Sequence, residues 1–593
     1  TGDQGGQLYI RGGSPIQNKV LMDGMIIYSP FHSIGLFSVF DTDIIRNTDV
    51  FTGGFNAEYG GRVSSIMDIK TKDGNKKKFG GKLTANTFGS KLLLEGPLSK
   101  NQKSSFVFSG KTSYLDKTSD VFYKEPLFTF DENGLPYSYT DLYGKISLHG
   151  NNGSKFNLFG FNFQDLVDYE NISKLSWKSN GIGSEFILIP GNSPVLIEGN
   201  FAYSSYKISL DEAASPLRES GISGFNMGFD FTYFKPKSKI KYGFDVHGYA
   251  TDFLTYNSVN TPITQNENTS EFSGYINYQY TSTRLIIEPG FRIQKYTLGL
   301  SPEPRLGLKY IVNEKTRLKL ASGFYSQNIL STSSDRDVVN LFSGIISSPE
   351  EIPTQANGEE YASKIQKAKH IITGIEFDVN NQIDFQVEAY IKDFNQLTNI
   401  NRNMTSDEDD TFIIETGIAR GIDALVKYNS KKLYVWLVYS LGQVKRDDGV
   451  REYSPHFDRR HNVNFVTSYK FGKKQDWKFD ARWNLGSGFP FTQTQGFYEN
   501  ITFSDGINTD YTSTNGDLGI QYAELNNGRL PYYHRLDISL AKSIAFKNNS
   551  KLNITASVTN AYNRENIFYF NRVKYDRVNQ LPLMPSLGMS LTF

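Results

Sequence analysis

The sequence predicts an all-β protein, a 22-stranded antiparallel transmembrane β-barrel. Apolar and polar residues alternate strictly at the C-terminus, in residues 587–593 (LGMSLTF), and in residues 552–559 (LNITASVT). A period of two turns successive side chains to opposite faces of a strand, one towards an apolar and one towards a polar environment. The alternation recurs over nearly the whole chain, and no apolar run is long enough for a membrane helix. This combination is typical of a membrane-spanning barrel.

Length and composition agree with a barrel and exclude several other classes. A chain of 593 residues exceeds one ordinary globular core, whereas a barrel grows around its lumen. Aromatic residues make up 14% of the chain, which suits aromatic girdles at the two faces of a lipid bilayer. The net charge of +1 gives no reason to expect nucleic acid as a partner. The absence of cysteine excludes disulfides, thiol nucleophiles and thiolate metal sites.

The connections between the alternating segments also predict the barrel. From Phe79 onward we count about 22 segments, joined alternately by short and long connections. The short junctions, such as Asn152-Gly153, contain residues that tolerate tight turns. If Phe593 lies at the periplasmic side, every short turn falls on the periplasmic side of the membrane and almost every long loop on the external side. The short connection near Gly299 is the exception. The long stretches are residues 115–137, 253–269, 328–365, 446–458, 488–529 and 562–583.

Charged residues within the strands indicate a wet lumen. Residues 383–392 (IDFQVEAYIK) alternate apolar residues with polar ones that include Asp384, Glu388 and Lys392. A basic residue that faces lipid at the bilayer midplane costs about 2–4 kcal/mol, so these side chains are expected to face the lumen. A large soluble β-propeller is the alternative interpretation, but no repeat of propeller length recurs.

The first 75 residues follow a different pattern from the rest of the chain. Paired glycines, such as Gly12-Gly13 and Gly60-Gly61, alternate with short β-like runs. Glycine pairs permit positive φ angles and close backbone approach, although ordinary turns use them too. We therefore expect residues 1–75 to form a separate domain and residues 76–593 to form the barrel.

This N-terminal region resembles the second half of the plug domain of TonB-dependent outer-membrane receptors. The segments that carry the resemblance are residues 8–13 (LYIRGG), 20–24 (VLMDG), 44–51 (IIRNTDVF) and 58–72 (EYGGRVSSIMDIKTK). In that family the last of these segments leads into the first barrel strand, as it does here. The barrel has similar signatures in residues 304–310 (PRLGLKY), 458–464 (DRRHNVN), 534–539 (HRLDIS) and 558–563 (VTNAYN) and in the terminal Phe593. The resemblance spans essentially the whole chain.

The resemblance implies a barrel in the bacterial outer membrane with a plug, here partial, in its lumen. It also implies import of a scarce nutrient, such as a metal chelate, vitamin, oligosaccharide or peptide. A TonB-type energy-coupling protein would drive the plug rearrangement, and a surface lipoprotein lid or a larger outer-membrane complex is a further candidate partner. Neither a signal peptide nor the TonB box of the family is recognised, so we expect the numbering to begin within a longer precursor.

Charged residues of the plug and the barrel are candidates for a reversible lock. Charge-assisted hydrogen bonds are strong, yet they remain exchangeable in a wet cavity. The plug candidates are Arg11, Arg46, Glu58 and Arg62, and the barrel candidates are Glu376, Asp384 and Glu388. The family resemblance implies a locking role for Arg11, Glu58 and Arg62. Ordinary solvated surface charge is the alternative interpretation.

Aromatic residues at the plug apex and in one long loop are candidates for contact with a substrate. Aromatic faces beside amide side chains bind sugars, siderophores or protein surfaces, but a long loop that packs on itself has the same composition. The plug-apex candidates are Tyr28, Phe31 and His32, and the loop candidates are Phe489, Phe497, Tyr498, Tyr511 and Tyr522.

No metal site, cofactor or catalytic site is predicted. Acidic patches at residues 407–410 and 505–510 do not match an EF-hand loop, so solvated loop charge is the favoured interpretation. The histidines are dispersed and no Gly-x-Ser-x-Gly elbow occurs, so an enzyme is not expected. The alternative function is that of a non-transporting plugged-barrel subunit in an outer-membrane protein assembly or secretion complex. A passive porin is less favoured, because of the plug.

Overall fold

Twenty-two antiparallel strands close into a barrel around a four-stranded sheet, which confirms the predicted fold class and strand number. The computed structural model describes most of the chain. The described residues are 6–123, 135–169, 173–191, 193–212, 215–256, 262–333, 342–353, 359, 361, 363–401, 409–500, 512, 516–547 and 549–593. Within those ranges, no helix is both long and apolar enough to cross a membrane.

The barrel strands, with all strands numbered in chain order, lengthen from the N-terminal side towards the middle of the chain. They are β5 (Gly80–Asn86), β6 (Gly89–Pro97), β7 (Ser104–Ser113), β8 (Tyr137–His149), β9 (Lys155–Tyr169), β10 (Ser173–Leu188), β11 (Val195–Glu212), β12 (Ser215–Phe234), β13 (Ser238–Tyr256), β14 (Pro262–Thr281), β15 (Leu285–Tyr296), β16 (Gly299–Ile311), β17 (Thr316–Gln327), β20 (Gln366–Asn380), β21 (Ile383–Ile400), β22 (Phe412–Asn429), β23 (Leu433–Asp447), β25 (His461–Phe471), β26 (Trp477–Gly486), β31 (Tyr533–Ala545), β32 (Lys551–Thr559) and β35 (Met584–Thr592).

Shorter elements lie in the connections. They are β18 (Ile329–Ser331), β19 (Ile345–Ser347), β24 (Glu452–Tyr453), β27 (Pro490–Phe491), β28 (Thr494–Asn500), β29 (Asp517–Tyr522), β30 (Gly528–Arg529), β33 (Ile567–Asn571), β34 (Asp576–Asn579) and the helix α1 (Leu115–Phe122). Most of them pair as small two-stranded sheets within one connection. They add local structure to the end of the barrel that carries the long connections, which we call the loop end.

The last strand closes the barrel by pairing with the first. β35 runs antiparallel to β5, from Gly588 opposite Asn86 to Thr592 opposite Lys82. Phe593 and Gly81 exchange two backbone hydrogen bonds of 3.0 Å beyond that ladder. Closure leaves no free strand edge in the lipid, where unpaired backbone groups would be costly.

Side-chain alternation follows the predicted period of two, with one difference on the lumen side. In β9, Leu158 is 44% exposed on the outer face, whereas Phe159, Phe161 and Phe163 are buried on the inner face. The inner wall at β8 to β11 is therefore partly apolar, whereas the charged residues within the strands predict a wet lumen. The cause is the plug, whose apolar residues cover this wall.

The connections differ from the sequence-based expectation at one long stretch. Residues 253–269 are predicted as a long loop, but β13 continues to Tyr256 and β14 begins at Pro262, with these two residues paired. Polar residues can extend a hairpin beyond the membrane, because paired strands satisfy their own backbone groups. The short connection predicted near Gly299 is present, since β15 ends at Tyr296 and β16 begins at Gly299.

The plug sheet consists of β1 (Asn18–Met22), β2 (Met25–Ile26), β3 (Ile45–Phe51) and β4 (Ser65–Thr71), in the order β2-β1-β4-β3. A tight turn joins β1 to β2 through Asp23 and Gly24, which have positive φ angles of 50° and 82°. That conformation is the one a two-residue hairpin requires. β1 pairs in parallel with β4, and β3 pairs antiparallel with β4.

The plug packs on the barrel through two apolar clusters. The larger one joins Val20, Met22 and Ile34 of the plug to aromatic residues of the inner wall, such as Phe161 and Trp177. The smaller one surrounds plug residues Phe55, Val63 and Ile66 and includes Tyr325, Phe394 and Phe457 of the barrel side. Plug and barrel also meet through polar contacts.

Candidate functional site: the plug–barrel interface

Arg11 lies at the tip of a tight turn that touches the barrel wall. The backbone N–H of Gly13 donates to the carbonyl of Ile10 at 3.0 Å, and Arg11 and Gly12 have φ angles of 46° and 78°. A Cβ added at Gly12 would lie 2.3 Å from the Cβ of Ala419 in β22. Glycine at this position therefore permits both the positive φ and the close approach.

The Arg11 guanidinium joins the plug to two barrel carboxylates. Nη2 lies 2.6 Å from Glu388 in β21 and 2.7 Å from Asp423 in β22, and the Arg11 side chain is only 8% exposed. The guanidinium also lies 4.9 Å from the centre of the Tyr390 ring. Burial disfavours the charged form, but Asp423 and Glu388 outweigh it and raise the pKa of Arg11. Arg11 is thus held as a cation that bridges two strands.

The plug segment around Glu58 is held by barrel cations. The Lys241 Nζ of β13 lies 2.5 Å from the Glu58 carboxylate. Two barrel arginines donate to backbone carbonyls of the same plug segment: Arg305 to Asn56 at 2.5 Å and Arg292 to Ala57 at 3.3 Å. These arginines lie in lumen-facing positions of β16 and β15, but the sequence analysis did not single them out.

Arg62 is buried and contacts the plug itself. Its Nη1 donates to the carbonyl of Gly61 at 2.7 Å, and the side chain lies close enough to Glu271 of β14 to interact electrostatically. A Cβ at Gly60 would lie 2.2 Å from the Nε of Arg292, so this glycine gives the barrel arginine room to reach the plug. The predicted Glu58–Arg62 segment therefore lies at the interface.

Lys392 is a further interface residue outside the predicted lock. Its Nζ is 3.0 Å from both the carbonyl and the hydroxyl oxygen of Ser64, and 3.4 Å from the carbonyl of Ile10. The Nε2 of His370 lies 2.9 Å from the carbonyl of Val63. Barrel side chains thus bind the Arg11 turn at Ile10 and the plug segment at Val63 and Ser64, mainly through backbone oxygens.

Asp23, from the predicted VLMDG segment, anchors the opposite part of the plug. Its buried carboxylate accepts from the Tyr143 hydroxyl at 2.6 Å and from the Thr71 hydroxyl at 2.6 Å, with Lys145 at 3.3 Å. Burial favours the neutral carboxyl, but Lys145 and the Thr71 and Tyr143 hydrogen bonds outweigh it and lower the pKa of Asp23. The carboxylate is therefore ionised at neutral pH.

His32 is clamped between two barrel aspartates. Its Nε2 lies 2.8 Å from Asp141 in β8 and its Nδ1 lies 2.9 Å from Asp165 in β9, and the imidazole is fully buried. The ring stacks on Tyr139 with a centroid distance of 4.0 Å. Burial disfavours the imidazolium, but the Asp141 and Asp165 hydrogen bonds outweigh it and raise the pKa of His32. Two carboxylate acceptors require two N–H donors, which only the protonated ring supplies.

Within the described part of the chain, three predicted lock residues do not pair with the opposite domain. Arg46 is exposed, and its nearest hydrogen-bond partner is Asn47 at 3.5 Å. Glu376 binds Arg317 at 2.8 Å and Lys309 at 2.9 Å, so its charge is neutralised within the barrel wall. Asp384 is exposed and lies opposite Lys427 in the next strand. Cross-strand neighbours, which depend on register, decide these pairings.

The substrate-contact candidates divide into buried and exposed groups. Tyr28 and His32 face the wall, where Tyr28 forms a hydrogen bond with Ser204, and Phe31 is half-buried. Tyr28 and His32 thus pack against the wall, and a contact between the plug apex and a substrate stays a prediction. In the loop, Phe489 packs under Arg459, Phe497 packs against Tyr575, Tyr522 packs under Arg572, and Tyr498 is 54% exposed. Tyr511 and most of the two acidic patches lie outside the described residues.

Metal ligands do not converge in the part of the chain that the structure describes. There, no group of three or more His, Cys, Asp or Glu side chains is arranged to hold a metal ion. The polar groups of the interface bind one another instead. Their arrangement can hold two rigid bodies together through contacts that water can replace one at a time.

Comparisons with known proteins agree with this geometry. Residues 1–65 match the family model TonB-dependent Receptor Plug Domain. The FrpB iron transporter of Neisseria meningitidis has a similar structure, with a TM-score of 0.72 and 12% identity over 100% of this chain and 95% of that chain. The unliganded ferric citrate transporter FecA is similar with a TM-score of 0.67 and 13% identity, over 98% of this chain and 90% of that chain. The siderophore receptor PirA of Acinetobacter baumannii is similar with a TM-score of 0.66 and 11% identity, over 100% of this chain and 94% of that chain. No curated protein matches the sequence.

The fold and the plug define the class of protein. The chain has the architecture of the TonB-dependent outer-membrane receptors: an N-terminal plug domain inside a 22-stranded transmembrane barrel of the bacterial outer membrane. At identities of 11–13%, the similarity to the solved structures is one of fold.

Proposed function

We propose that this protein is a TonB-dependent receptor that imports a scarce nutrient across the outer membrane. The observation that carries the proposal is the polar lock between plug and barrel, centred on the bridge from Arg11 to Glu388 and Asp423. A lumen closed by ion pairs and by hydrogen bonds to backbone oxygens can be opened stepwise by water and closed again. An importer requires a seal of this kind.

Energy coupling supplies the work that the lock demands. Breaking a largely buried ion pair costs about 3 kcal/mol, and the interface contains several such pairs. Thermal motion alone would open the plug too rarely for uptake. A TonB-type protein that pulls on the plug from the periplasmic side would supply that energy, because the outer membrane holds no ATP.

The similar solved structures support a transporter. FrpB is described as an iron transporter, FecA as a ferric citrate transporter and PirA as a siderophore receptor. A metal chelate is accordingly the first cargo to test, followed by a vitamin, an oligosaccharide or a peptide. The alternative, a non-transporting subunit of an assembly or secretion complex, has no comparable support.

The first experiment identifies what the full-length protein binds in its native membrane. Mass spectrometry of material that co-purifies from outer membranes should reveal a small molecule or a TonB-type protein. Cells should then deplete that molecule from the medium only when both this protein and TonB are present. Stoichiometric recovery with other barrel proteins and lipoproteins, without a small molecule, would favour the assembly subunit and contradict the proposal.

A reversible crosslink tests whether the plug must move. The sequence contains no cysteine, so Gly24→Cys with Asn200→Cys introduces a single possible disulfide between plug and barrel. A Cβ at Gly24 would lie 3.6 Å from the Cβ of Asn200, within the range that disulfides require. Uptake should stop in the oxidised double variant and recover with reductant, and the single Gly24→Cys variant, which carries the same backbone cost at a φ of 82°, is the reference for uptake without a crosslink. Uptake by the fully crosslinked protein would exclude a moving plug.

A further inference from the structure

A cavity of about 270 Å³ lies at the loop end of the barrel, away from the lock contacts. Its walls come from three connections, which follow β23, β26 and β32. The lining includes Arg459, Phe489, Tyr533 and Arg564, together with Glu565. A cavity of this size holds one small molecule or one functional group of a larger molecule.

Arg459 forms a positively charged part of the cavity wall. Its guanidinium lies 4.0 Å from the centre of the Phe489 ring and 5.5 Å from that of Tyr533. A Cβ at Gly486 would lie 2.4 Å from the guanidinium carbon, so glycine there leaves room for the arginine. The two aromatic rings pack against the guanidinium and hold it in place, and its N–H groups remain for a ligand.

The charge of Arg459 has no carboxylate partner among the described residues. Its Nε is buried without a hydrogen-bond partner there. The neighbouring carboxylate, Asp458, is already bound to Arg529 at 2.5 Å and to the backbone N–H of Val444 at 2.8 Å. Burial lowers the pKa of Arg459 to about 10, and the nearby Tyr533 hydroxyl offsets this effect only in part. At neutral pH the Arg459 guanidinium is still a cation, and no described carboxylate pairs with it.

Other charges around the cavity increase this imbalance. Glu565, the single carboxylate among the lining residues, is 2.7 Å from Arg577 and so is neutralised. Arg564 also lines the cavity, and it forms no ion pair with another described residue. Two arginines without carboxylate partners therefore face a space bounded by Phe489, Tyr532 and Tyr533.

We propose that this cavity binds a small ligand that carries an oxyanion, a carboxylate or a phosphate. The fork of the Arg459 guanidinium matches two oxygens of such a group, and Arg564 supplies a second positive charge. The aromatic side chains would pack against the apolar part of the ligand. The source of the oxyanion, an organic carboxylate or a phosphate compound, is distinguished by the choice of probe.

The cavity is connected to the plug by a short segment of chain. Tyr9 of the plug stacks on Phe457 at a centroid distance of 4.9 Å, and its hydroxyl lies 3.1 Å from the Nε2 of His456. A ligand that binds Arg459 would therefore restrain the loop segment that contacts the plug two residues earlier. As a binding site for imported cargo, the inference rests on the proposed function, although anion binding itself requires no transport.

The experiment is calorimetric titration of the purified full-length protein with citrate and with inorganic phosphate at constant ionic strength. Citrate should bind the wild type, and the affinity should fall at least tenfold in Arg459→Gln and in Arg564→Gln. Arg451→Gln, on the same loop end but not among the lining residues, is the matched control and should bind like the wild type. Tighter binding of citrate than of phosphate would support an organic carboxylate, and the reverse would support a phosphate compound.

A second variant preserves every charge. Gly486→Ala should displace the Arg459 guanidinium and weaken citrate binding, while the heat-modifiable mobility of the folded barrel on a gel stays unchanged. Equal affinity in wild type and Arg459→Gln, or no binding of either anion at millimolar concentration, would overturn the inference. Binding that is intact in a protein that supports no TonB-dependent uptake would instead overturn the proposed function and leave the anion site standing.

Discussion

The guanidinium of Arg11 in the plug lies 2.6 Å from the carboxylate of Glu388 in the barrel wall, although 377 residues separate them in the chain. Asp423 on the adjacent strand completes the bridge at 2.7 Å. This contact joins the part of the plug nearest the N-terminus to the wall, so a force on that end would reach it early.

Arg11→Ala should loosen the plug without abolishing ligand binding. Two carboxylates would lose their shared cation, at a cost to plug docking of about 3 kcal/mol. In planar bilayers, we expect channel openings at a lower urea concentration than for the wild type. Arg46→Ala, which removes an exposed plug arginine, is the control and should leave the openings unchanged. Identical urea dependence for Arg11→Ala would exclude Arg11 from the lock.

His32 should make plug docking depend on pH. Its pKa is raised in the folded state, so the imidazolium contributes its full stabilisation below the ordinary value of about 6.5. The contribution is lost as the pH rises through the higher folded pKa. Asp141 and Asp165 face the ring, and Lys111 lies 3.0 Å from Asp141.

The measurement is the urea midpoint of plug release between pH 5 and pH 9. The wild type should lose stability towards alkaline pH, and His32→Gln should flatten that part of the profile. His461→Gln is the control, because His461 contacts Tyr439 of the barrel. A wild-type profile that rises with pH over this interval would contradict the protonated clamp.

Lys392→Met should separate the stability of the plug from that of the barrel. The substitution removes the Lys392 donor from the Ser64 carbonyl, whereas the Ile10 carbonyl keeps the N–H of Gly13, so the plug should be released at lower urea. The barrel itself should remain as stable or become more stable, because a buried cation has been removed. Lys369→Met, an exposed position in β20, is the control. Thermal unfolding of the barrel, followed by circular dichroism, completes the comparison.

Gly12→Ala tests the close contact between the Arg11 turn and β22. The new methyl group would meet Ala419, and alanine at a φ of 78° costs about 1–2 kcal/mol, so plug docking should weaken. Adding Ala419→Gly removes the steric clash but not the backbone cost, so the double variant should recover only part of the loss. Simple addition of the two single effects in the urea midpoint would show that the positions do not interact.

Local pattern was sufficient to predict the fold but only part of the site. The alternation in β21 and the turn residues between strands depend on near neighbours in the chain, so the barrel and its strand number could be predicted. The partner of Glu376 could not, because Arg317 lies opposite it only in the observed register. The apolar wall at Phe161 exists because the plug covers it. No signal within β9 itself indicates that cover.

The donors to plug backbone oxygens were missed for a related reason. Arg292, Arg305 and Lys392 occupy lumen-facing positions, and that periodicity was the available signal. Their acceptors are main-chain carbonyls. Every residue has one, so the sequence does not show which of them accepts a hydrogen bond. Small residues such as Gly60, into whose space Arg292 reaches, mark the contact only after both partners are placed.

The parallel pairing of β1 with β4 has a mechanical consequence. Five residue pairs, from Asn18 opposite Ser65 to Met22 opposite Ile69, join the two strands. A pull from the N-terminal side acts on the start of β1, while the barrel holds the chain beyond the end of β4. The two forces point in opposite directions along the strand axis, so the hydrogen bonds are loaded together in shear rather than unzipped in sequence. The sheet should therefore bear tension intact, and the segment before β1, with Arg11 at its turn, should be the first to yield.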